Sequence, residues 1–462
     1  MEYSENAKMA ERLARAVQAA GGTAYYVGGL VRDRLLGREG KDIDIEVHGI
    51  TPEQLERILD SLGERQMFGA SFGIYNLKHY DLDIAMPRKE MKTGEHHRDF
   101  RCEIDPFCGT LKAAVRRDFT INAMMQNVLT GEVIDHFGGQ TDIENGIIRH
   151  VNPESFAEDA LRVLRGAQFA ARFGFTVAPE TMELCSRMDL SALAGERIQE
   201  EMTKALMKAE KPSVFFEILR EMGQLGFWFK ELKALIGVPQ PPKYHPEGDA
   251  WRHTMLTVDG AASLRSRAVR PLPFMLSAML HDCGKAVTTH RDESGKISSI
   301  GHEIKGEPLA LAFLERIRMD KQTEQYVLNM VRLHMKPNLL PVQSASAKAY
   351  MKMMDESVLP EDLLLLSKAD RIGQMGDMDA YKETEHVLAD MLKRYREVIQ
   401  KQREVSGKDL LNAGFKPGPQ FSTILGYAHK LWLAGVPYES ALVQTLAYAR
   451  KQQNSQKRDS SI

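Results

Sequence analysis

The stretch AYYVGGLVRD, residues 24–33, followed by KDIDIEV, residues 41–47, decides the fold of the first part of this chain. The β-branched and aromatic residues before the two glycines are typical of a strand, and the apolar residues after them have helical spacing. Gly28 and Gly29 lie between, where the lack of a Cβ lets backbone N–H groups approach a phosphate and the helix N-terminus favours negative charge. An ordinary turn has the same pattern, so phosphate binding is one of two interpretations.

Two carboxylates follow in residues 41–47. Asp42 and Asp44 flank one residue, so both side chains project from the same face of a strand. Such a pair repels unless a metal ion neutralises it, although a solvated strand face has the same pattern. Asp83 in DLDIAM adds a third carboxylate on a neighbouring strand. Three such groups could hold two Mg²⁺ ions for in-line attack on an α-phosphate, which makes Asp42, Asp44 and Asp83 the predicted catalytic residues.

The motif EDALRVLR, residues 158–165, places Asp159, Arg162 and Arg165 on one side of a helix. Cytosine and adenine each present an exocyclic amine donor beside a ring-nitrogen acceptor, whereas guanine and uracil present the reverse arrangement. A carboxylate that accepts from the amine and a guanidinium that donates to the ring nitrogen would therefore select CTP and ATP. Asp159 and Arg162 are the candidates for this pair. The alternative is that they form an exposed ion pair with each other.

The pattern of secondary structure changes near residue 150. Strand-like segments such as DIDIEVHGI and GEVIDHF alternate with helical stretches before it, which predicts a small mixed sheet with helices. Nearly every later stretch has helical spacing, so the chain is predicted to be α+β. The proline-rich residues 237–249 and residues 406–420 are typical of linkers. We therefore divide the chain into residues 1–150, 151–236, 237–405 and 406–462, the last being a helical tail.

Bulk properties exclude several classes of protein. At 462 residues the chain is too long for a single core, and roughly three domains of about 150 residues are expected. A net charge of −2 argues against a wholesale polycation, so any nucleic acid would meet a local basic surface. No apolar run reaches the roughly 20 residues of a membrane span, and the charged N-terminus lacks a signal-peptide core. The four cysteines form no CxxC pair, and such a pattern suits neither a disulfide framework nor a zinc site. The protein is expected in the cytoplasm, as a monomer or a homodimer.

A second group of metal-ligating residue types occupies the middle of the chain. His281 and Asp282 are adjacent at the end of an apolar helical stretch, with His253 before them and Asp370 after them. A single histidine is more often a core or surface residue than a ligand, but this combination is harder to explain by packing. Imidazoles with carboxylates suit Mn²⁺, Fe, Ni²⁺ or Co²⁺, and a bound metal would activate water against phosphate esters.

The early motifs resemble, in order and spacing, those of the class II tRNA nucleotidyltransferase and bacterial poly(A) polymerase family across about residues 20–235. They are GGLVRD, DIDIEV, RRDFTINA and EDALRVLR. The resemblance implies a polymerase-β-like nucleotidyltransferase head and a helical neck that includes SALAGERIQEEMTKAL. It also implies metal binding by Asp42 and Asp44, phosphate contacts from Gly28, Gly29 and Arg32, ribose recognition around Arg117, Asp118 and Asn122, and base selection by Asp159 and Arg162, with Arg165 in the same nucleotide-binding set.

The same resemblance implies the substrates. The family transfers nucleotides from CTP and ATP to RNA 3′ ends with Mg²⁺ as cofactor, and the expected partner here is tRNA at its 3′ end and acceptor stem. A flexible loop lets members that add CCA switch from C to A. The corresponding polar stretch, residues 86–115, contains Gly94, Arg88, Lys89, Lys92 and Arg98. An ordinary surface loop has the same composition, so full CCA addition is predicted with poly(A), A-only or CC-only addition as rivals.

The later group resembles the HD-domain phosphohydrolases, and the domain order resembles that of enterobacterial CCA enzymes with phosphatase and cyclic phosphodiesterase activity. The resemblance implies His253, His281, Asp282 and Asp370 as ligands of a transition metal or Mg²⁺ and Lys285 as a phosphate contact; if His302 and His334 also bind, the site holds two metals. The rival from another class is an HD phosphohydrolase whose head serves as an RNA-binding module. The Asp42 and Asp44 pair argues against it, since a binding module has no need of a metal-chelating pair.

Overall fold

A computed structural model describes residues 3–38, 40, 42–68, 74–92, 100–375 and 378–459. The chain divides into two compact units, Met1–Ala205 with Val214–Phe227, and Leu206–Ser213 with Trp228–Ile462. A mixed sheet with helices precedes a mostly helical remainder, so the predicted α+β class is confirmed. In the described ranges, no helix combines the length and apolar character needed to cross a membrane.

Seven strands of the first unit form one sheet. They are β1 (Thr23–Val27), β2 (Ile43–His48), β3 (Arg65–Phe68), β4 (Ile74–Leu77), β5 (Leu82–Ala85), β8 (Met125–Asn127) and β9 (Val133–Ile134), while β6 (Arg88–Lys92) and β7 (Phe100–Ile104) form a separate antiparallel pair. The order across the sheet is β3-β4-β5-β2-β1-β8-β9. Among these described strands only β2 and β5 run parallel, with Asp44 opposite Asp83. Two carboxylates from separate motifs thus become neighbours.

Two helices, α1 (Tyr3–Ala19) and α3 (Pro52–Leu62), pack together, and α1 also packs on β1 and β2. A capping box starts α3, because the Thr51 amide donates to the Gln54 side chain at 2.8 Å and the Gln54 amide donates to the Thr51 hydroxyl. The β2 residues buried in the same core are Ile43, Ile45 and Val47. Burying each contributes about 1.5–3 kcal/mol. The alternate β2 residues, Asp44 among them, therefore point to the opposite face.

Helices make up most of the chain after residue 150, as predicted. The remaining helices up to residue 233 are α2 (Gly29–Leu35), α4 (Thr110–Val115), α5 (Gly139–Glu144), α6 (Pro153–Ala157), α7 (Leu161–Phe173), α8 (Pro179–Ser186), α9 (Gly195–Lys208), α10 (Ser213–Glu221) and α11 (Lys230–Lys233). The later helices are α12 (Ala250–Leu264), α13 (Pro271–Leu280), α14 (Lys285–Thr288), α15 (His302–Arg316), α16 (Lys321–Leu333), α17 (Met335–Val342), α18 (Ala347–Glu356), α19 (Pro360–Gly373), α20 (Met378–Lys401), α21 (Gly407–Asn412), α22 (Gln420–Leu433) and α23 (Tyr438–Asp459).

Two short strand pairs interrupt the helical region. The first joins β10 (Ile147–Ile148) to β11 (Thr176–Val177), and the second joins β12 (His290–Arg291) to β13 (Ile297–Ser298). Each strand has two residues, which is too short for a pattern of alternation, so the sequence did not predict them.

The two predicted linkers have different structures. Residues 234–249 form neither helix nor strand. Residues 406–420, predicted as a joint, include α21, because the Ser406 amide donates to the Asp409 carboxylate at 2.8 Å and the two residues form a capping box.

Helices α12 and α19 of the second unit approach each other closely, and a glycine permits it. A Cβ on Gly373 would lie 2.2 Å from Thr257 Oγ1 and 2.8 Å from its backbone nitrogen, which is closer than real contacts allow. The close approach places His253 of α12 opposite Asp370 of α19.

Candidate active sites

The first candidate site lies where β2 and β5 are adjacent. Asp44 and Asp83 are partners in the parallel register, on strands that are about 4.8 Å apart. Asp44 is half-buried, and Asp42 and Asp83 are exposed. Burial, and then the charge of Asp83, raises the pKa of Asp44 above its ordinary value, while Arg117 opposes the rise. Three oxygen ligands with mutual repulsion form a donor set that fits Mg²⁺.

The predicted glycine turn lies directly beside these carboxylates. Gly28 has a φ of 67°, a left-handed conformation that favours glycine, and it immediately precedes α2. A Cβ on Gly28 would be 3.5 Å from Asp44 Oδ2 and 3.6 Å from an Arg117 Nη1. The structure therefore brings the turn, the carboxylate and a guanidinium together.

Four predicted nucleotide-binding residues form a hydrogen-bonded chain. Arg32 Nη1 donates to Asn122 Oδ1 at 2.7 Å, and Asn122 Nδ2 donates to Asp118 Oδ1 at 3.0 Å. Arg165 Nε donates to the other oxygen of Asp118 at 2.7 Å. Although burial opposes ionisation, Arg165 and Asn122 hold the pKa of Asp118 below its ordinary value. Arg32, Asp118 and Asn122 are each 9% exposed or less. These hydrogen bonds therefore lie beneath the surface of the site and hold its side chains in place.

A cavity of about 740 Å³ opens over this region. The predicted site residues that line it are Asp44, Asp83, Arg117, Asp159 and Arg162. Further charged residues in its wall are Glu46, Arg88, Arg116, Glu158 and Arg197. The cavity therefore combines the carboxylates of the sheet with the residues predicted to select the base.

Asp159 and Arg162 each have a partner other than the one anticipated in the ion-pair alternative. Asp159 pairs with Arg197 of α9 at 3.2 Å. Arg162 donates to the backbone carbonyls of Ser155 and Arg116, both at 2.8 Å. Both side chains are thereby oriented at the cavity wall, and neither depends on the other for its position.

Sequence reasoning missed two residues of this site. Arg197 lies in the segment SALAGERIQEEMTKAL, which the resemblance assigns as a whole to the neck helix without a role for any single side chain. Glu46 continues the alternation of Asp42 and Asp44, which was the signal that could have found it. Although burial opposes ionisation, His48 and Arg117 hold the pKa of Glu46 below its ordinary value, and Glu46 binds Arg117 at 3.0 Å.

The stretch predicted to contain a switching loop is described in part. Strands β6 and β7 flank residues 93–99 as an antiparallel pair. Gly94 and Arg98 lie outside the described residues, as do the side chains of Lys89 and Lys92.

The second candidate site is a buried cluster of the predicted HD residues. His253 Nε2 lies 3.0 Å from Asp370 Oδ1 and 3.3 Å from His281 Nε2. These three residues present ligand atoms within 4.8 Å of one another, as do Asp282, His302 and His334. The structure therefore brings together all six residues named as ligands, including the two assigned to a second metal.

Asp282 connects the two triads. Its Oδ2 lies 3.2 Å from His281 Nε2, and its Oδ1 lies 3.2 Å from His302 Nε2 and 3.6 Å from His334 Nε2. Although burial opposes ionisation, His281 and Lys285 hold the pKa of Asp282 well below its ordinary value. Neither carboxylate oxygen has a donor with hydrogen-bond geometry among the described residues. A buried, ionised carboxylate between imidazoles fits a metal-binding donor set, in which Asp282 would be a ligand with His302 and His334.

Backbone carbonyls fix three of the four imidazoles. The Nδ1 atoms of His281, His302 and His334 lie 2.7–2.8 Å from the carbonyl oxygens of Ala278, Ser299 and Val331, respectively. An Nδ1–H donor of this kind leaves the Nε2 lone pair free, and Nε2 is the atom that faces the centre in each case. Lys285, the predicted phosphate contact, is 7% exposed, and its Nζ lies 2.6 Å from Asp282 Oδ2.

Comparisons with known proteins match the parts of the chain that contain the two candidate sites. The family described as the poly A polymerase head domain matches residues 24–149, a probable RNA and SrmB binding site of polymerase A matches residues 174–236, and the HD domain matches residues 251–375. A multifunctional CCA protein of Actinobacillus pleuropneumoniae serotype 5b (strain L20) is 34% identical over 403 residues, or 85% of this chain and 94% of that relative.

Solved structures share the fold. The Bacillus stearothermophilus CCA-adding enzyme in complex with CTP is 19% identical with a TM-score of 0.64, and the match covers 98% of this chain and all of that one. The Thermotoga maritima CCA-adding enzyme complexed with tRNA(CCA) is 20% identical with a TM-score of 0.59, over 95% of this chain and 94% of that one.

Proposed function

The chain belongs to the family of multifunctional CCA proteins, and from that membership and the head site we propose that it adds C, C and A from CTP and ATP to tRNA 3′ ends. The observation that carries the proposal is the pairing of Asp44 with Asp83 beside Gly28, at a cavity that also presents Asp159 and Arg162. Phosphate chemistry and base choice thus share one cavity, which suits stepwise addition of three nucleotides from two triphosphates.

The head residues divide the work of nucleotidyl transfer. Asp42, Asp44 and Asp83 would hold Mg²⁺, and two such ions, when bound, neutralise the charge that develops during in-line displacement at the α-phosphate. Arg117 presents its guanidinium to the same cavity, where its charge favours a triphosphate. The turn at Gly28 supplies backbone N–H groups and the start of a helix beside that charge.

Base choice depends on two side chains with fixed orientation. Asp159 accepts from the exocyclic amine of cytosine or adenine, and Arg162 donates to the adjacent ring nitrogen. Two carbonyls hold the plane of the Arg162 guanidinium, and Arg197 holds the Asp159 carboxylate. A pair held in this way rejects guanine and uracil because donor would meet donor and acceptor would meet acceptor.

The test is extension of tRNA transcripts that end before the first C, after CC, and after CCA. The protein, Mg²⁺ and labelled CTP or ATP should extend the first two transcripts and stop at CCA. Adenosines added beyond CCA would identify a poly(A) polymerase, and extension of one of the two shorter transcripts alone would identify a CC-only or A-only enzyme.

For the second unit we propose a metal-dependent phosphohydrolase with phosphatase and cyclic phosphodiesterase activity. The two neighbouring triads support it, because His253, His281 and Asp370 would hold one metal and Asp282, His302 and His334 would hold a second. Mn²⁺, Fe, Ni²⁺, Co²⁺ or Mg²⁺, when bound, supplies Lewis acidity toward the phosphate ester and a more acidic water.

Hydrolysis of p-nitrophenyl phosphate and of a cyclic 2′,3′-phosphate, with each metal in turn, tests this second activity. Ester cleavage without extension of any tRNA would leave the second unit as the working enzyme and remove the proposed nucleotidyl transfer.

We place the protein in the cytoplasm, where tRNA, CTP and ATP occur together, and propose that the tail, residues 406–462, contacts tRNA.

A further inference from the structure

A carboxylate from the proline-rich linker, residues 237–249, reaches the HD cluster. The Glu247 side chain has no exposed surface, and its Oε1 accepts from His253 Nδ1 at 2.9 Å and from His245 Nδ1 at 2.8 Å. The rings of His245 and His253 meet edge to face with centroids 4.9 Å apart. The other oxygen, Oε2, is buried and has no hydrogen-bond partner among the described residues. A solvated linker would leave such a carboxylate in water.

A second linker side chain makes a similar contact. Gln240 is 5% exposed, and its Oε1 accepts from Lys285 Nζ at 2.6 Å. Lys285 is the cation that also contacts Asp282. Two polar side chains of the linker are therefore buried against two different members of the cluster.

The contact with Glu247 distinguishes His253 from the other three imidazoles named as candidate ligands. His281, His302 and His334 donate from Nδ1 to neutral backbone carbonyls, whereas His253 donates to a carboxylate. A carboxylate partner fixes the tautomer as a carbonyl does and, in addition, makes the opposite nitrogen a stronger ligand. Burying an ionised carboxylate is costly unless it is paired, which is consistent with its two imidazole partners.

We propose that Glu247 is a positioning residue of the HD centre, which sets the orientation and ligand strength of His253 and so makes the linker part of the metal site. The inference rests on the phosphohydrolase proposed above. It adds a residue from outside the predicted ligand set and gives the linker a chemical role.

Metal affinity of the full-length protein tests the proposal. Glu247→Gln keeps the shape of the side chain and removes its charge, so Mn²⁺ affinity measured by competition with a chelator should fall about 10- to 100-fold. Glu303→Gln is the matched control, because Glu303 lies 3.7 Å from His302 Nδ1, which already contacts the Ser299 carbonyl at 2.8 Å. We expect the control to stay within about threefold of wild type, since it leaves the orienting contact of its histidine intact.

A second variant and a spectroscopic readout separate positioning from stability. Glu247→Asp keeps the charge but withdraws it by one methylene, and it should weaken Mn²⁺ binding in the same direction. The visible absorption of the Co²⁺-loaded protein should change in both Glu247 variants and not in Glu303→Gln. Wild-type Mn²⁺ affinity and an unchanged Co²⁺ spectrum in both Glu247 variants would overturn the inference and leave the phosphohydrolase standing. A wild-type protein that binds neither ion would remove the phosphohydrolase and the inference together.

Discussion

Replacement of Asp159 by alanine should relax the choice among nucleotides by an amount that the structure bounds. A hydrogen bond to a charged group contributes about 1.5–3 kcal/mol. Asp159 already pairs with Arg197 at 3.2 Å, with side chains 37% and 47% exposed, and an exposed pair contributes about 0–1 kcal/mol. A base that binds Asp159 gives up part of that pairing, so the net preference is about 1–2 kcal/mol, or roughly 5- to 30-fold in kcat/KM.

Single-nucleotide addition to a tRNA ending in CC measures this preference directly. The ratio of kcat/KM for ATP to that for GTP should fall by this factor in Asp159→Ala. Glu158→Ala is the control, because Glu158 lines the same cavity but contacts Arg116 at 3.4 Å, and it should keep the wild-type ratio within about twofold. Exclusion of GTP and UTP at the wild-type level in Asp159→Ala would refute recognition of the base edge by this carboxylate.

Three further predictions concern the carboxylates, a glycine and a histidine. Asp44→Asn should lower nucleotide addition by more than about 10²-fold and leave ester hydrolysis intact. Asp282→Asn should abolish ester hydrolysis and leave nucleotide addition intact. Joint loss of both activities in a folded variant would contradict two independent sites. Gly373→Ala places a Cβ 2.2 Å from the Thr257 hydroxyl, so the second unit should be destabilised by about 1–3 kcal/mol, as measured by calorimetry. An unchanged unfolding transition would contradict the close approach of α12 and α19. Although burial opposes the charge, hydrogen bonds to Asp355 and Glu404 raise the pKa of His429. Protonated His429 therefore stabilises the folded state fully below the unfolded pKa of about 6.5, and this contribution is lost as pH rises through the higher folded pKa. The difference in stability between wild type and His429→Gln should shrink above neutral pH.

The sequence identified the chemistry of the first site better than its geometry. The residue types alone identified Asp44 and Asp83 as candidate metal ligands. Predicting that they lie side by side required one further assumption, that they belong to neighbouring strands. The partner of Asp159 was beyond reach, because Arg197 belongs to another helix and no local spacing relates the two residues. Contacts between elements depend on packing, which a pattern along one strand or helix does not contain.

The second site shows the same limit at a different place. His281 and Asp282 are adjacent in sequence, and the remaining candidate ligands are histidines and an aspartate, which are uncommon in a helical core, so the cluster was predictable. Glu247 was not, because the prolines around it indicate a linker and linkers are usually solvated. A buried acid in such a segment is recognisable only once the fold places it beside His253.

Because β2 and β5 pair in one particular register, the rate of nucleotide addition can be used to detect chains in which these strands are misaligned. Side chains alternate along a strand, so a slip of one residue would turn Asp83 away from Asp44 and leave the backbone pairing otherwise similar. Circular dichroism would barely detect such a misfolded chain, whereas its transfer activity would be absent. The specific activity of a preparation, measured against its total protein, should therefore fall as the fraction of molecules with a shifted register rises.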